Sequence, residues 1–389
     1  MSDPYPLVPL NSAIRHRKEF IQINDLDTYK RCRVQLHAQG IVLRDIVAGA
    51  EVKTKMQQVC QAGDFLVAEI DAKVGGFGIV PNELDGAIVS SHYFLFDIDK
   101  CVLDRRFLDY YIRTPAFKDQ VSAQGSTNYA AIRPAHVLAY HIPLPPLVEQ
   151  RRIVARIETV AAKITEARGL RQQATTEADN LPVVMAHRPD LHKETKLRSG
   201  WREVAIGDIV KQVQDPVQVD PARSYPNLGI YSFGRGLFTK PPIEGLATSA
   251  NVLYRVQSGQ FIYSRLFAFE GSYGRVSDEF DGCFVSGEYP TFACDSSSVN
   301  AEFLHAYFKV PHIWSEVAMG SKGLGDRRQR VQPNQVFAHR LLLPPMEWQR
   351  EIATVQAQVD AMRRLQAETA VELAALLPAV LDRAFRGEL

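Results

Sequence analysis

Ile142-Pro143-Leu144-Pro145-Pro146-Leu147-Val148-Glu149-Gln150-Arg151 is the stretch where the chain changes character. Before it lie short apolar runs punctuated by Gly and Asp; after its two prolines, glycine gives way to a helical pattern. Proline is tolerated in the first turn of a helix and not in its interior, so the pair marks a boundary. Beyond it Ile153, Ile157, Val160, Ile164 and Ala167 recur at spacings of 4, 3, 4 and 3, a heptad-like seam. Leu342-Leu343-Pro344-Pro345-Met346-Glu347-Trp348-Gln349-Arg350 makes the same change again, and Ile352, Val355, Val359, Met362, Leu365 and Thr369 carry a second seam. A narrow apolar stripe on a helix this long needs a partner, so helices at 147–182 and 346–385 are expected to pack antiparallel as a coiled coil.

Working outward, the two stretches belong to a repeat that spans most of the 389 residues. At an offset of 196, Val8 matches Val204, Gly40 matches Gly236, Gly63 matches Gly259, Phe65 matches Phe261, Asp85-Gly86 matches Asp281-Gly282, Phe107-Leu108 matches Phe303-Leu304 and Pro115 matches Pro311. After Gly125 the second half gains three residues, so Pro145-Pro146 and Gln150-Arg151 match Pro344-Pro345 and Gln349-Arg350 at 199; Leu181-Pro182 and Leu377-Pro378 restore 196. Solenoid units are about 20 to 50 residues long, so a period of this size predicts duplicated domains, each with its own core. Phe65-Leu66-Val67, Ala87-Ile88-Val89 and Tyr93-Phe94-Leu95-Phe96 read as strands, as do Phe261-Ile262-Tyr263 and Cys283-Phe284-Val285. Segments 105–112 and 301–308 have apolar residues at three-to-four spacing and read as short helices. The predicted class is mixed α/β (α+β) with a pseudo-two-fold internal repeat. It has globules at 1–146 and 200–345, a helix and polar return linker at 147–199 and a second helix and tail at 346–389. Gly75-Gly76-Phe77-Gly78 reads as displaced from Gly271-Ser272-Tyr273-Gly274, so the loop geometry of the two halves is expected to differ there.

Composition excludes several classes of function. Lys and Arg number 45 against 44 Asp and Glu, a formal charge of +1, so any nucleic-acid surface must be local. The five cysteines form no C-x-x-C pair and no signal peptide is evident, which fits a reducing cytoplasm. No apolar run approaches the roughly 18 residues of a membrane helix. Ser321-Lys322-Gly323-Leu324-Gly325 lacks the spacing of a phosphate-binding loop, and no Asn-Pro-Pro-aromatic motif is present. Pro189-Asp190 with Glu194-Thr195-Lys196 has the residue types of a metal-dependent nuclease but sits in a polar linker without a flanking strand, and His187 and His192 do not share a helical face. No catalytic site, metal or cofactor is expected in this chain.

The two Pro-Pro-x-x-x-Gln-Arg helix starts, and the ending Leu377-Pro378-Ala379-Val380-Leu381-Asp382-Arg383-Ala384-Phe385-Arg386-Gly387-Glu388-Leu389, resemble the specificity subunits of type I restriction-modification systems. The resemblance implies a non-catalytic protein whose two target-recognition domains each read one half of a split double-stranded DNA site, with the helices as a ruler between them. It also implies two methyltransferase subunits, which use S-adenosylmethionine to methylate adenine, and restriction subunits for cleavage. For DNA contact the candidates are basic and amide side chains on turns. They are Lys322, Arg327, Arg328, Gln329 and Arg330, with Arg235, Arg265 and Arg275, in the second half; and Ser126, Thr127 and Asn128, with Arg33 and Lys73 upstream, in the first. The 327–330 cluster is foremost, since it falls where the second repeat has its insertion, although the same segment could touch the methyltransferase instead. Glu149, Gln150, Arg151, Gln349 and Arg350 are the candidate subunit contacts because the pattern occurs in both halves. Two other readings stay open: the DNA-recognition part of another type of restriction-methylation enzyme, and a non-DNA scaffold of the same architecture. A steep loss of binding with salt would mark a DNA reader.

Overall fold

A computed structural model describes residues 5–122, 131–319 and 330–388. They form two compact units, Met1–Gly169 with Thr369–Leu389, and Leu170–Glu368. Both are β-rich, and the helix Leu147–His187 links them.

The first unit is organised around the strand Phe65–Ala68, which is buried along its whole length. Successive side chains of a strand point to opposite faces. Phe65 and Val67 accordingly enter an aromatic cluster with Phe77, Phe96 and Phe107, while Leu66 and Ala68 enter a second cluster with Cys32, Val34 and Leu95. This strand lies inside a four-stranded sheet in the order Ile14–Arg17, Tyr93–Ile98, Phe65–Ala68, Phe77–Ile79. A five-stranded sheet runs Phe20–Gln22, Met56–Val59, Ile88–Val89, Thr28–Gln35, Gly40–Ala48. Short helices Arg105–Tyr111, Pro115–Ser122 and Pro134–Ala139 complete the globule.

The second unit repeats this order strand for strand. Val210–Val213, Thr291–Cys294, Phe261–Tyr263 and Tyr273–Arg275 make its four-stranded sheet; Pro216–Gln218, Val252–Arg255, Phe284–Val285, Ser224–Ile230 and Leu237–Glu244 make the five-stranded one. Phe261 and Tyr263 again face one cluster and Ile262 the other. The short helices are Ala301–Tyr307, Pro311–Ala318 and Pro333–Ala338.

The expected displacement of the glycine turn does not occur. Gly75 and Gly271 stand 196 apart and turn at φ +80° and +81°. Leu66 faces Gly78 across the strand pair as Ile262 faces Gly274. Each turn clamps the tip of the long hairpin of its own unit. His37 and Ala38 N–H donate to the Val74 and Gly75 carbonyls at 2.8 Å; Phe233 and Gly234 N–H donate to those of Glu270 and Gly271 at 2.7 and 2.9 Å. There is no room for a side chain at the second turn, since a Cβ on Gly271 would lie 2.3 Å from Trp314 Cε2.

Part of each helical seam is packed inside its own unit, while Leu365 and Thr369 of the second stay exposed. Ile153, Val154 and Ile157 sink into the first unit's core with Leu381, Ala384 and Phe385, whose ring centroid lies 5.0 Å from that of Phe107. In the second unit, Arg171 Nη2 donates to the Gln366 carbonyl (2.6 Å), Thr175 Oγ1 to Gln366 Oε1 (2.8 Å) and Arg363 pairs with Asp179 (2.6 Å). Numbers rise along one helix as they fall along the other, so these helices run antiparallel. Two boundaries differ from expectation. The first helix continues through Pro182 to His187, and the linker holds a helix of its own, Lys193–Arg198. The second is interrupted at Thr369 (φ −89°, ψ 0°), at the margin of the helical region, giving Met346–Glu368 and Ala370–Phe385.

Candidate nucleic-acid interface

Candidate residues come together at the start of the long helix in both units and, in the second unit, at a corner where the buried strand ends; the first unit has an equivalent corner. At the helix start, Gln150 and Gln349 are both 0% exposed. Asp104 N–H donates to Gln150 Oε1 (2.8 Å), and Gln150 Nε2 donates to the carbonyls of Val102 (2.9 Å) and Pro145 (2.8 Å). Gln349 makes the equivalent set with Asn300 N–H (2.7 Å) and the Ser298 (3.2 Å) and Pro344 (2.9 Å) carbonyls. An amide has one acceptor and two donors at one end of a short stem, which is what these three backbone groups require. The two glutamines therefore staple helix to globule and offer no side chain to another subunit, in place of the contact expected of them from sequence. Around them Arg151 and Arg350 are exposed. Glu149 accepts from Tyr5 Oη (2.9 Å) and from Arg152 (2.8 Å), and the Arg152 hydrogen bonds hold its carboxyl below the usual range.

At the corner, Glu69 and Arg265 occupy equivalent positions. Glu69 N–H donates to the His92 carbonyl (2.8 Å) and Ile132 N–H to the Glu69 carbonyl (3.0 Å); Arg265 N–H donates to that of Glu288 (2.9 Å) and Val331 N–H to that of Arg265 (3.0 Å). On this common backbone frame the side-chain chemistry is inverted. Glu69 takes Arg133 Nη1 (2.7 Å) and His92 Nδ1 (2.8 Å). Arg265 Nη2 instead donates to Gln332 Oε1 (2.6 Å), and Arg330 pairs with Glu288 (3.0 Å). These bonds hold the residues that follow segments 123–130 and 320–329. Ser126, Thr127, Asn128, Lys322, Arg327, Arg328 and Gln329 themselves lie outside the described residues.

The remaining candidates lie on other elements. Arg235 is exposed on the hairpin tip, with its guanidinium over the Tyr231 ring at 4.8 Å and Nε donating to the Ser232 carbonyl at 3.0 Å. Arg33 is exposed on the strand Thr28–Gln35, and Lys73 is half-buried in the turn Asp71–Val74. Arg275 differs: it pairs with the mostly buried Glu302 at 2.9 Å, so its charge is neutralised inside the unit. Sequence reasoning passed over the apolar side chains that rim the corner, namely Tyr231, Phe233 and Phe267 in the second unit and Leu36, Ile70 and Val74 in the first, all exposed. Their signal was the glycine frame around them, Gly40 and Gly75 against Gly236 and Gly271. Among the described residues no three His, Cys, Asp or Glu side chains gather as metal ligands, and no helix is long and apolar enough to cross a membrane.

Comparison with known proteins gives consistent matches. Residues 17–176 match the family described as the type I restriction modification DNA specificity domain. The type I restriction enzyme EcoKI specificity subunit of Escherichia coli (strain K12) is 21% identical over 316 residues, which cover 73% of this chain. The match spans 65% of that relative's length, just under two thirds. The crystal structure of the HsdS subunit from Thermoanaerobacter tengcongensis superposes with a TM-score of 0.61 at 25% identity, over 99% of this chain and 97% of that one. A chain solved in work on complex assembly and conformational transition of the type I R-M system shares the fold, with a TM-score of 0.62 at 24% identity over 99% of this chain and 100% of that one.

Proposed function

This chain belongs to the type I restriction-modification specificity subunits, and from that premise we propose that it is the DNA-reading, non-catalytic member of a cytoplasmic complex. In this reading the globules at 1–146 and 200–345 each recognise one half of a split double-stranded target. The helical parts, 147–199 and 346–389, set the gap between the half-sites. Two methyltransferase subunits dock on the chain and methylate adenine, restriction subunits join for cleavage, and all bond-making and bond-breaking belongs to those partners.

One observation carries this reading: the duplicated backbone is kept in both halves, while side chains are kept at one place and exchanged at another. The exposed Arg151 and Arg350 are the same at the two helix starts, as expected where the same kind of partner docks twice. Glu69 and Arg265 are opposite in charge at the two corners, as expected where two surfaces meet different base sequences. A scaffold with a single repeated ligand has no reason to invert the second pair.

The test is co-expression with a type I methyltransferase subunit, followed by sequencing of methylated adenines in the host DNA. A split motif whose methylation depends on this chain is the expected result. If no complex forms and no methylation depends on the chain, the proposal fails.

A further inference from the structure

The hairpin tip of the second unit holds a bulky side chain on a backbone that disfavours it. Phe233 sits at φ +65°, in the left-handed region where a Cβ meets the neighbouring carbonyl and a bulky side chain is strained. The fold does not need the ring. The bonds that hold the tip run through the backbone of Phe233 and Gly234, and the equivalent tip is made with His37 and Ala38 at φ +62° and +58°. Phe233 is 63% exposed, and Trp314, at 6.3 Å between centroids, is its nearest aromatic contact among the described residues. Beside it Tyr231 stacks on Phe238 at 4.1 Å and lies under the Arg235 guanidinium, while Phe267 projects from the clamping turn.

Exposed rings next to guanidinium groups are the chemistry that stacks on nucleobases and neutralises the phosphates beside them. An apolar rim could equally dock a protein, so what decides is the comparison between repeats. The tip of the first unit has Leu36, His37 and Gln39 where the second has Ser232, Phe233 and Arg235, and no side chain is shared. A partner bound by both halves would hold such a surface constant, as the exposed Arg151 and Arg350 at the helix starts are held constant.

We infer that Phe233 is a wedge that stacks on a base step of the half-site read by the second unit, with Arg235 on an adjacent phosphate, so that this unit recognises its sequence partly through the cost of unstacking it. The inference rests on the proposed DNA-reading function. The first unit, with the smaller and hydrogen-bonding His37 at that position, reads without a wedge.

The experiment selects random-sequence duplexes on the full-length chain bound to its methyltransferase partner, and compares wild type with Phe233→Ala and Phe233→Asn. Wild type is expected to select a split motif. Both variants are expected to keep the first half-site, to lose preference at one or two adjacent base pairs of the second, and to bind the wild-type motif about tenfold more weakly. Asn tolerates the left-handed backbone, so Phe233→Asn should also melt at a higher temperature, which separates the loss of recognition from any loss of folding. Unchanged selection and affinity in both variants overturns the wedge and leaves the DNA-reading function standing. Weakened methyltransferase binding at unchanged DNA preference likewise overturns it, by assigning the tip to protein docking. A wild-type complex that selects no motif overturns the function and the wedge together.

Discussion

The start of each long helix and the corner of each globule were duplicated together, and they have fared differently. At the helix start Gln150 and Gln349 still make the same three hydrogen bonds. At the corner, Glu69 bonded to Arg133 in one repeat corresponds to Arg265 bonded to Gln332 in the other. The difference lies in what the side chain touches. The glutamines answer backbone groups, which no substitution removes, and an unmatched buried donor or acceptor costs about 1–3 kcal/mol. The corner side chains answer other side chains and the solvent, so both members of a pair can change while the backbone bonds from Ile132 and Val331 hold the frame. Identity here reports an internal constraint, and divergence on a kept frame reports an outward-facing one.

The largest expected effect tests the first half of that statement. Gln150→Ala strands the Asp104 N–H and the Val102 and Pro145 carbonyls in the interior and should cost the first unit about 3 kcal/mol, read by urea unfolding with hydrogen exchange to assign the loss to that unit. Gln349→Ala should cost the second unit a similar amount. If either substitution leaves its unit's stability unchanged while weakening methyltransferase binding, the staple is the wrong role and the original expectation of a subunit contact returns.

The next effect sharpens the second half. Replacing Arg327, Arg328 and Arg330 by Ala together should weaken binding to the second half-site ten- to a hundredfold, at about 1–3 kcal/mol for each base-reading arginine and less for a phosphate contact, and should flatten the dependence of binding on salt. The preference at the first half-site should stay as it was, by the same duplex selection. An equal loss at both half-sites breaks the proposed correspondence of one unit to one half-site.

The frame of the molecule was legible in the sequence, and its working surface was not. Gly40, Gly63, Asp85-Gly86 and the Pro-Pro-x-x-x-Gln-Arg starts recur at fixed offsets because turns with positive φ and buried stapling amides admit few residues. The interruption at Thr369 left no such mark, since neither glycine nor proline announces it. Arg275 was counted with the exposed arginines because its partner Glu302 stands 27 residues away and only the fold brings them together. Phe233 was passed over because an isolated aromatic in a Gly-rich turn reads as core until its φ and exposure are known. Gln150 and Gln349 were read as subunit contacts for a related reason: a motif shared by two repeats fits an external partner and an internal one equally well until burial separates them.

The smallest effect compares the units through their histidines. Burial lowers the pKa of His187, His305 and His339 in the second unit, with Lys196 and His312 adding to the shift at His187, His312 at His339, and Lys309, Arg275 and Arg363 at His305. In the first unit His16 is lowered, by burial and Lys18. A histidine whose folded pKa is depressed binds its proton more readily in the unfolded chain, so the stability it contributes is present above about pH 6.5 and is lost as the pH falls toward the folded value. Asp64 and Asp109 in the first unit run the opposite way, since burial raises their carboxyls and acidification there favours the folded form; Glu302 does the same in the second. Three lowered histidines in the second unit against one in the first predict that lowering the pH from 7.5 to about 5.5 raises the hydrogen-exchange rate of the second unit's core strands relative to the first's. Parallel loss of protection in the two units would show that this asymmetry in buried histidines does not set their relative stability.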